Sequence, residues 1–408
     1  MKLHFESRFA MLAYNLLLLL ILILGICICE IKKSSRNNIV FLTIVSAAMI
    51  MMSYLRADTV GIDYKQYADY FTQVRNGGWS FLISSANGYR IEPGYSLLNY
   101  IVSLFTGDVH IFMLIVSIII VCLTAVLLYR YSPVPWIGMF VFASFGFFGN
   151  SLSFIRQSIA VAVYLFAVHF LKDKKLLPYI LIVLLAASFH KAILIMIPVY
   201  FIAHIKVNWK TLASYAGLAA FIMALSWPLF NFITKYIYQY YATREGLYYM
   251  MGRDWQTAAV PVITTITILI LKDFILKRDS KNVVLINLSV YSGLLYIMTC
   301  QHFLFQRFGI MFFTSAILII PELLASVGVE SVQTEAMEQA ENLKGYKNKT
   351  EKRKALQEHR QAKSQINMHK YIYYYATAAI VFIGFLYNVW ILLQNRINLT
   401  PYVTFLTK

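Results

Sequence analysis

Five ionisable residues stand out: Asp63 and Glu92 in a long tyrosine-bearing loop, and Arg156, His190 and Arg307 inside or at the edge of apolar segments. Their types suit group transfer from an anionic leaving group. A carboxylate, Asp63 or Glu92, can accept a hydrogen bond or a proton from a hydroxyl. A guanidinium offers a planar fork matched to phosphate oxygens. Arg156, in "FIRQSIAVAVYLF", lies about one turn inside an apolar segment, where an arginine is costly unless it pairs or lines a wet cavity. Arg307, in "QRFGIMFF", repeats that arrangement, and two such arginines from different segments could clamp one pyrophosphate. His190, in "AASFHKAILIMIPVYF", has a near-neutral pKa suited to proton transfer or to a phosphate hydrogen bond. Arg90 joins the diphosphate candidates, and Gln157 the sugar-binding ones. Tyr64, Tyr67, Trp79 and Tyr95 offer ring faces to a sugar, and Arg244, in "YYATREGLYYMMGRDWQ", could hold an acceptor chain. Each has a plainer alternative. The tyrosines fit an interfacial aromatic belt, the arginines can snorkel, a membrane histidine is often structural, and Arg244 can pair within its loop.

No D-x-D occurs in these loops, and no Walker loop or G-x-G-x-x-G in strand context occurs anywhere. A reaction with no metal and no cofactor is therefore expected. The four cysteines match no disulfide or zinc spacing.

The elements that must position these groups are membrane helices. The chain has 408 residues, of which 59% are hydrophobic and 13% charged, against roughly 25% charged in soluble domains. Apolar runs near twenty residues recur from end to end, as helices require and barrel strands do not. An all-α polytopic membrane protein with about 12 transmembrane segments is expected, over 9–30, 38–55, 109–129, 134–149, 153–171, 176–189, 191–204, 211–231, 257–276, 283–300, 303–323 and 371–393. The net charge of +17 would suggest nucleic acid in a soluble protein. Here most Lys and Arg collect in short connections between spans, which is the signature of membrane orientation.

That charge pattern fixes the turns. If 176–203 were one tilted span, the basic clusters at 206–210, 272–281 and 344–370 would all face outward. Two short segments turning at His190–Lys191 keep them inside. The same logic makes 94–105 a re-entrant or interfacial helix within a long outer loop, 56–108, after the second span. Three regions follow: a polytopic core at 1–325, a basic cytoplasmic segment at 326–370, and a final transmembrane helix and tail at 371–408. No internal repeat and no matching pair of broken helices is visible in the sequence.

The segments "GIDYKQYADYF", "EPGYSLLNYIVSLF", "FIRQSIAVAVYLF", "AASFHKAILIMIPVYF" and "QRFGIMFF…IIPELL", in this order over roughly 10–325, resemble the EpsG family. The resemblance implies a Wzy-like polymerase of bacterial surface polysaccharide in the cytoplasmic (inner) membrane, with its active site facing outward. It implies undecaprenyl-diphosphate-linked oligosaccharides as donor and acceptor, and a flippase and a chain-length regulator as protein partners. The family pattern falls on Asp63, Tyr64, Glu92, Pro93, Arg156, His190 and Arg307. The alternatives are a lipid-linked glycan ligase or other sugar transferase, and a lipid-linked glycan flippase.

Overall fold

A computed structural model describes residues 11–83, 91–236, 255–301, 304–328 and 349–407. These are all-α, with a single isolated β-bridge between Arg56 and Thr404. In hydrocarbon every backbone amide and carbonyl must be paired within the segment, which is why apolar sequence of this length becomes helix.

Among the described residues six helices are long and apolar enough to cross a membrane: Leu12–Glu30, Ser35–Leu55, Val109–Tyr131, Ile155–Lys172, Ser280–Met298 and Met368–Gln394. Three bent pairs raise the number to nine: Pro135–Ser144 with Phe147–Ser153, Trp255–Ile270 with Lys272–Arg278, and Phe305–Phe313 with Ala316–Val327. The other three expected segments coincide with shorter helices, Leu176–Ala187, Lys191–Ile202 and Trp209–Ala224. The chain is a multi-pass membrane protein. We label four helices: α1 is Ser35–Leu55, α2 is Tyr64–Ile83, α3 is Pro93–Ser103, and α4 is the long C-terminal helix Lys349–Gln394. The last runs unbroken through the boundary expected at 370–371.

The bends were not visible in the sequence, yet two have local causes. The first pair breaks at Gly146, at φ +82°, a left-handed conformation that only glycine adopts without strain. The third breaks at Thr314 and Ser315, whose hydroxyls bond back to the Ile310 and Phe312 carbonyls in competition with the helix ladder.

Hydrogen bonds sort the helices end to end. At one end, Glu30 accepts from the Trp136 indole and the Tyr373 hydroxyl, each at 2.7 Å. Beyond them Lys172 meets Asp279 at 3.1 Å, Lys281 meets Asp173 at 2.7 Å, and Arg278 meets Glu322 at 3.3 Å. The chain between 176 and 202 leaves this end and returns to it: the Tyr200 hydroxyl bonds the Lys174 carbonyl at 2.6 Å, and His204 the Leu171 carbonyl at 2.8 Å. Its turn, at 188–190, lies at the opposite end, beside the start of α3. The expected outer loop 56–108 is there too, folded as α2 and α3, which pack on one another.

Candidate active site

Asp63 is placed by the short connection between α1 and α2. α1 ends at Arg56, whose extended backbone leaves the helix. Gly61 then takes φ +101° and passes so close to the Leu152 carbonyl that no side chain fits. Asp63 follows at the head of α2, one turn before Tyr67, whose amide its carbonyl accepts at 3.2 Å.

Glu92 precedes Pro93, whose fixed φ suits the first position of α3. Its side chain does not cap that helix. It turns inward, 7% exposed, and Oε2 accepts Arg156 Nη1 at 2.6 Å. Oε1 accepts the Lys191 amide at 3.2 Å and lies 3.5 Å from His190 Nδ1, in ion-pair range but long for a hydrogen bond. The two segments meet because the Gly94 and Tyr95 amides, at the open N-terminus of α3, donate to the Ser188 carbonyl at 2.7 and 3.3 Å. Arg156 lies in the first turn of its own helix, and its Nε is buried with no acceptor. Its guanidinium stands 6.0 Å from the centroid of the Tyr67 ring. Gln157 donates to the Arg307 carbonyl at 3.2 Å and ties the second arginine's helix to the first.

The two carboxyls are driven in opposite directions. Burial raises Asp63 above the usual carboxylate range, although the Arg307 and Arg156 charges pull it down. Burial opposes ionisation of Glu92 too, but His190, the Arg156 charge and the Lys191 amide outweigh it and hold the group at about 2. Asp63, Glu92, Arg156, His190 and Arg307 thus come together from five separate segments.

Other expected residues line the site as packed wall or stand away from it. The Tyr64 hydroxyl reaches His110 Nδ1 at 3.4 Å, and its ring lies 5.2 Å from the Arg56 guanidinium. Tyr67 and Tyr95 are buried and pack on each other at 5.7 Å, so they form the wall and present no open face. Trp79 is 54% exposed and sits against Tyr100 on the outside of α2 and α3. Arg90 and Arg244 lie outside the described residues.

Two features escaped the sequence reading. Arg56 is 1% exposed, with Nη2 3.6 Å from the Met113 sulfur, while Nε and Nη1 have no acceptor. Its position at the end of an apolar helix was the available signal. The second is the tail after α4, which the Asn-rich "QNRINLTPY" marks as a tight turn.

A small, partly open cavity lies beside Gln157, between Phe142, Phe147, Phe154, Val161 and Ile310. Hydroxyls of Thr124, Ser151 and Thr314 also line it, but each bonds a carbonyl of its own helix, so the cavity presents a largely apolar wall. Among the described residues no group of three His, Cys, Asp or Glu side chains is arranged to hold a metal ion.

Over 181 residues, 43% of this chain and 48% of the other, the sequence is 27% identical to the amylovoran biosynthesis protein AmsC of Erwinia amylovora. The chain spans about half the length of that curated relative. No solved structure matches the chain. Residues 39–331 match the EpsG family, a stretch that contains Asp63, Glu92, Arg156, His190 and Arg307 and takes in most of the membrane helices: the chain belongs to the EpsG family.

Proposed function

We propose that this protein is a membrane glycosyltransferase that polymerises lipid-diphosphate-linked oligosaccharide repeat units into an exopolysaccharide, at the outer face of a bacterial cytoplasmic membrane. The observation that supports the reading is the Glu92, Arg156 and His190 cluster at one end of the helix bundle, with the partly buried Asp63 within the field of Arg156 and Arg307. The biosynthetic role printed for AmsC supports it.

The chemistry follows from charge. An acceptor sugar hydroxyl attacks the anomeric carbon of the donor. The anomeric C–O bond to the diphosphate breaks, the electron pair leaves with the diphosphate, and the hydroxyl proton passes to Asp63. Stabilising the departing anion is the largest electrostatic demand. Arg156, with its unpartnered Nε, and Arg307 meet that demand. Glu92, ionised and bonded on both oxygens, is not available as the base. It holds Arg156 and the 188–191 turn in place, and His190 with them. The cavity beside Gln157 receives the first isoprenoid units of a carrier tail. Arg90 and Arg244 are proposed to extend the diphosphate and acceptor subsites. No step calls for a metal or cofactor. A flippase that supplies the donor and a chain-length regulator are the proposed protein partners.

Deleting the chromosomal gene tests the reading, with surface and lipid-linked glycans resolved by gel and mass spectrometry. A single lipid-linked repeat unit should accumulate while long polymer disappears. Long polymer retained on its carrier would indicate a ligase instead, and intact polymer in every pool would sink both.

A further inference from the structure

The chain beyond α4 lies outside the matched family region, yet it packs against the segment that carries Asp63. Asn395 and Asn398, at φ +45° and +53°, turn the chain back on itself. The Asn395 amide clamps that turn, donating to the Thr400 carbonyl at 2.6 Å and accepting its amide at 2.9 Å. The Ile397 carbonyl then accepts the Ile62 amide and the Ser153 hydroxyl, both at 3.1 Å. The Asn398 carbonyl accepts the Gly61 amide at 2.9 Å, and the Val403 carbonyl the Ala57 amide at 2.8 Å. Leu399 is 2% exposed and its carbonyl takes the Tyr14 hydroxyl at 3.1 Å; the Tyr402 hydroxyl bonds the Met52 carbonyl at 2.6 Å. Phe405 closes the contact on His110 and Tyr54, with ring centroids 4.3 and 5.5 Å away.

Ile62 directly precedes Asp63, and Ser153 lies three residues before Arg156. One tail carbonyl therefore grips both segments that carry these groups. We propose that residues 395–407 are a positioning strap of the active site, holding the 57–62 backbone and Ser153 so that Asp63 keeps its place against Arg156 and Arg307. The proposal rests on the polymerase reading for its catalytic half only. A helix cap or a membrane anchor would not need carbonyls spent on the amides of Gly61 and Ile62, and side-chain packing alone would not couple Asp63 to Arg156.

The test uses full-length protein in membranes, with Asn395→Ala to loosen the turn, Asn395→Asp to keep one of its two bonds, deletion of 397–407 to remove the strap, and Leu218→Ser, on an exposed residue outside the strap, as control. Asn395→Ala should lower kcat/KM at least tenfold, with Asn395→Asp between it and wild type. Its acid limb should also move, because Asp63 leaves the place where burial raises it and the Arg307 and Arg156 charges lower it, with the Tyr67 hydroxyl its other ionisable neighbour. A profile lowered in height with an unmoved limb would mean only a smaller active fraction and would overturn the positioning role. The structural half is read without activity, on Ala57→Cys in a chain whose four cysteines are replaced. In permeabilised membranes maleimide should label this buried position at least tenfold faster once 397–407 is deleted or Asn395 is Ala. Equal labelling with and without the strap overturns the proposal. Absence of polymer synthesis by wild-type membranes would defeat the polymerase reading and leave the labelling result standing by itself.

Discussion

Asp63 and Glu92 both feel Arg156, and the difference between them lies in how many donors each carboxylate meets. Glu92 is held by a guanidinium, a backbone amide and a nearby imidazole, whereas burial dominates at Asp63. A proton acceptor must be ionised, so activity should fall as pH drops through the Asp63 value, which lies above the ordinary carboxylate range of about 3.9. Glu92, at about 2, contributes no limb in that window. A kcat/KM profile of membrane-embedded enzyme checks this: Asp63→Asn should remove the limb and lower the rate by about 10²–10⁴-fold. For stability the sign is the reverse of a raised group. Glu92 ionises more readily folded than unfolded, so its contribution is complete above its unfolded value and is lost as pH falls toward about 2. Glu92→Gln should cost about 1–3 kcal/mol by leaving Arg156 poorly paired, visible as a lower Tm in detergent. The sequence made Arg156 and Arg307 conspicuous because arginine is costly among apolar residues. It could not show that Glu92, 64 residues away, meets Arg156, since nothing local links them.

At the scale of elements, the site depends on short pieces. The helices Leu176–Ala187 and Lys191–Ile202 are each too short for a full crossing, but their hairpin delivers His190 and the Lys191 amide to Glu92. Charge in the connections made that turn legible. Gly61 was not legible as special, because its need for positive φ arises from the approach of the Leu152 carbonyl, far off in sequence. Gly61→Ala should destabilise by about 1–3 kcal/mol and reduce polymer, measured by protein level and glycan gel. The cavity beside Gln157, between the first and third bent pairs, gives a separate check. Val161→Trp, which fills it, should abolish polymer while protein level stays near normal, as expected where a carrier tail is displaced.

The whole molecule has two chemically distinct ends. Exposed ion pairs such as Lys281–Asp173 are screened by solvent, so the basic end marks orientation more than stability. The other end gathers the candidate site, the start of α2 and the strap. In our reading this end faces outward. Alkaline phosphatase fused after Thr407 should then be active and a green fluorescent protein fused there dark, with the reverse for fusions placed in the 329–348 segment. A result inverted at both places would turn the molecule over and put the site on the cytoplasmic face. The axis was readable in the chain because the basic clusters alternate with apolar runs loop by loop. Hydrogen bonds that gather the same residues at common ends repeat that alternation in three dimensions.

Hydropathy and charge are local and summable, so the sequence alone determined that the protein is helical, where its apolar segments fall and how they alternate. The motif order indicated the family. Which groups meet was decided only by packing. Helix bends at Gly146 and Thr314–Ser315, the burial of Arg56, the pairing of Glu92 with Arg156, and the fold-back of 395–407 onto Gly61 and Ile62 all depend on atoms brought close across long stretches of chain. No period or composition encodes such a contact. It exists because each buried polar group must find a partner in a medium that offers no water.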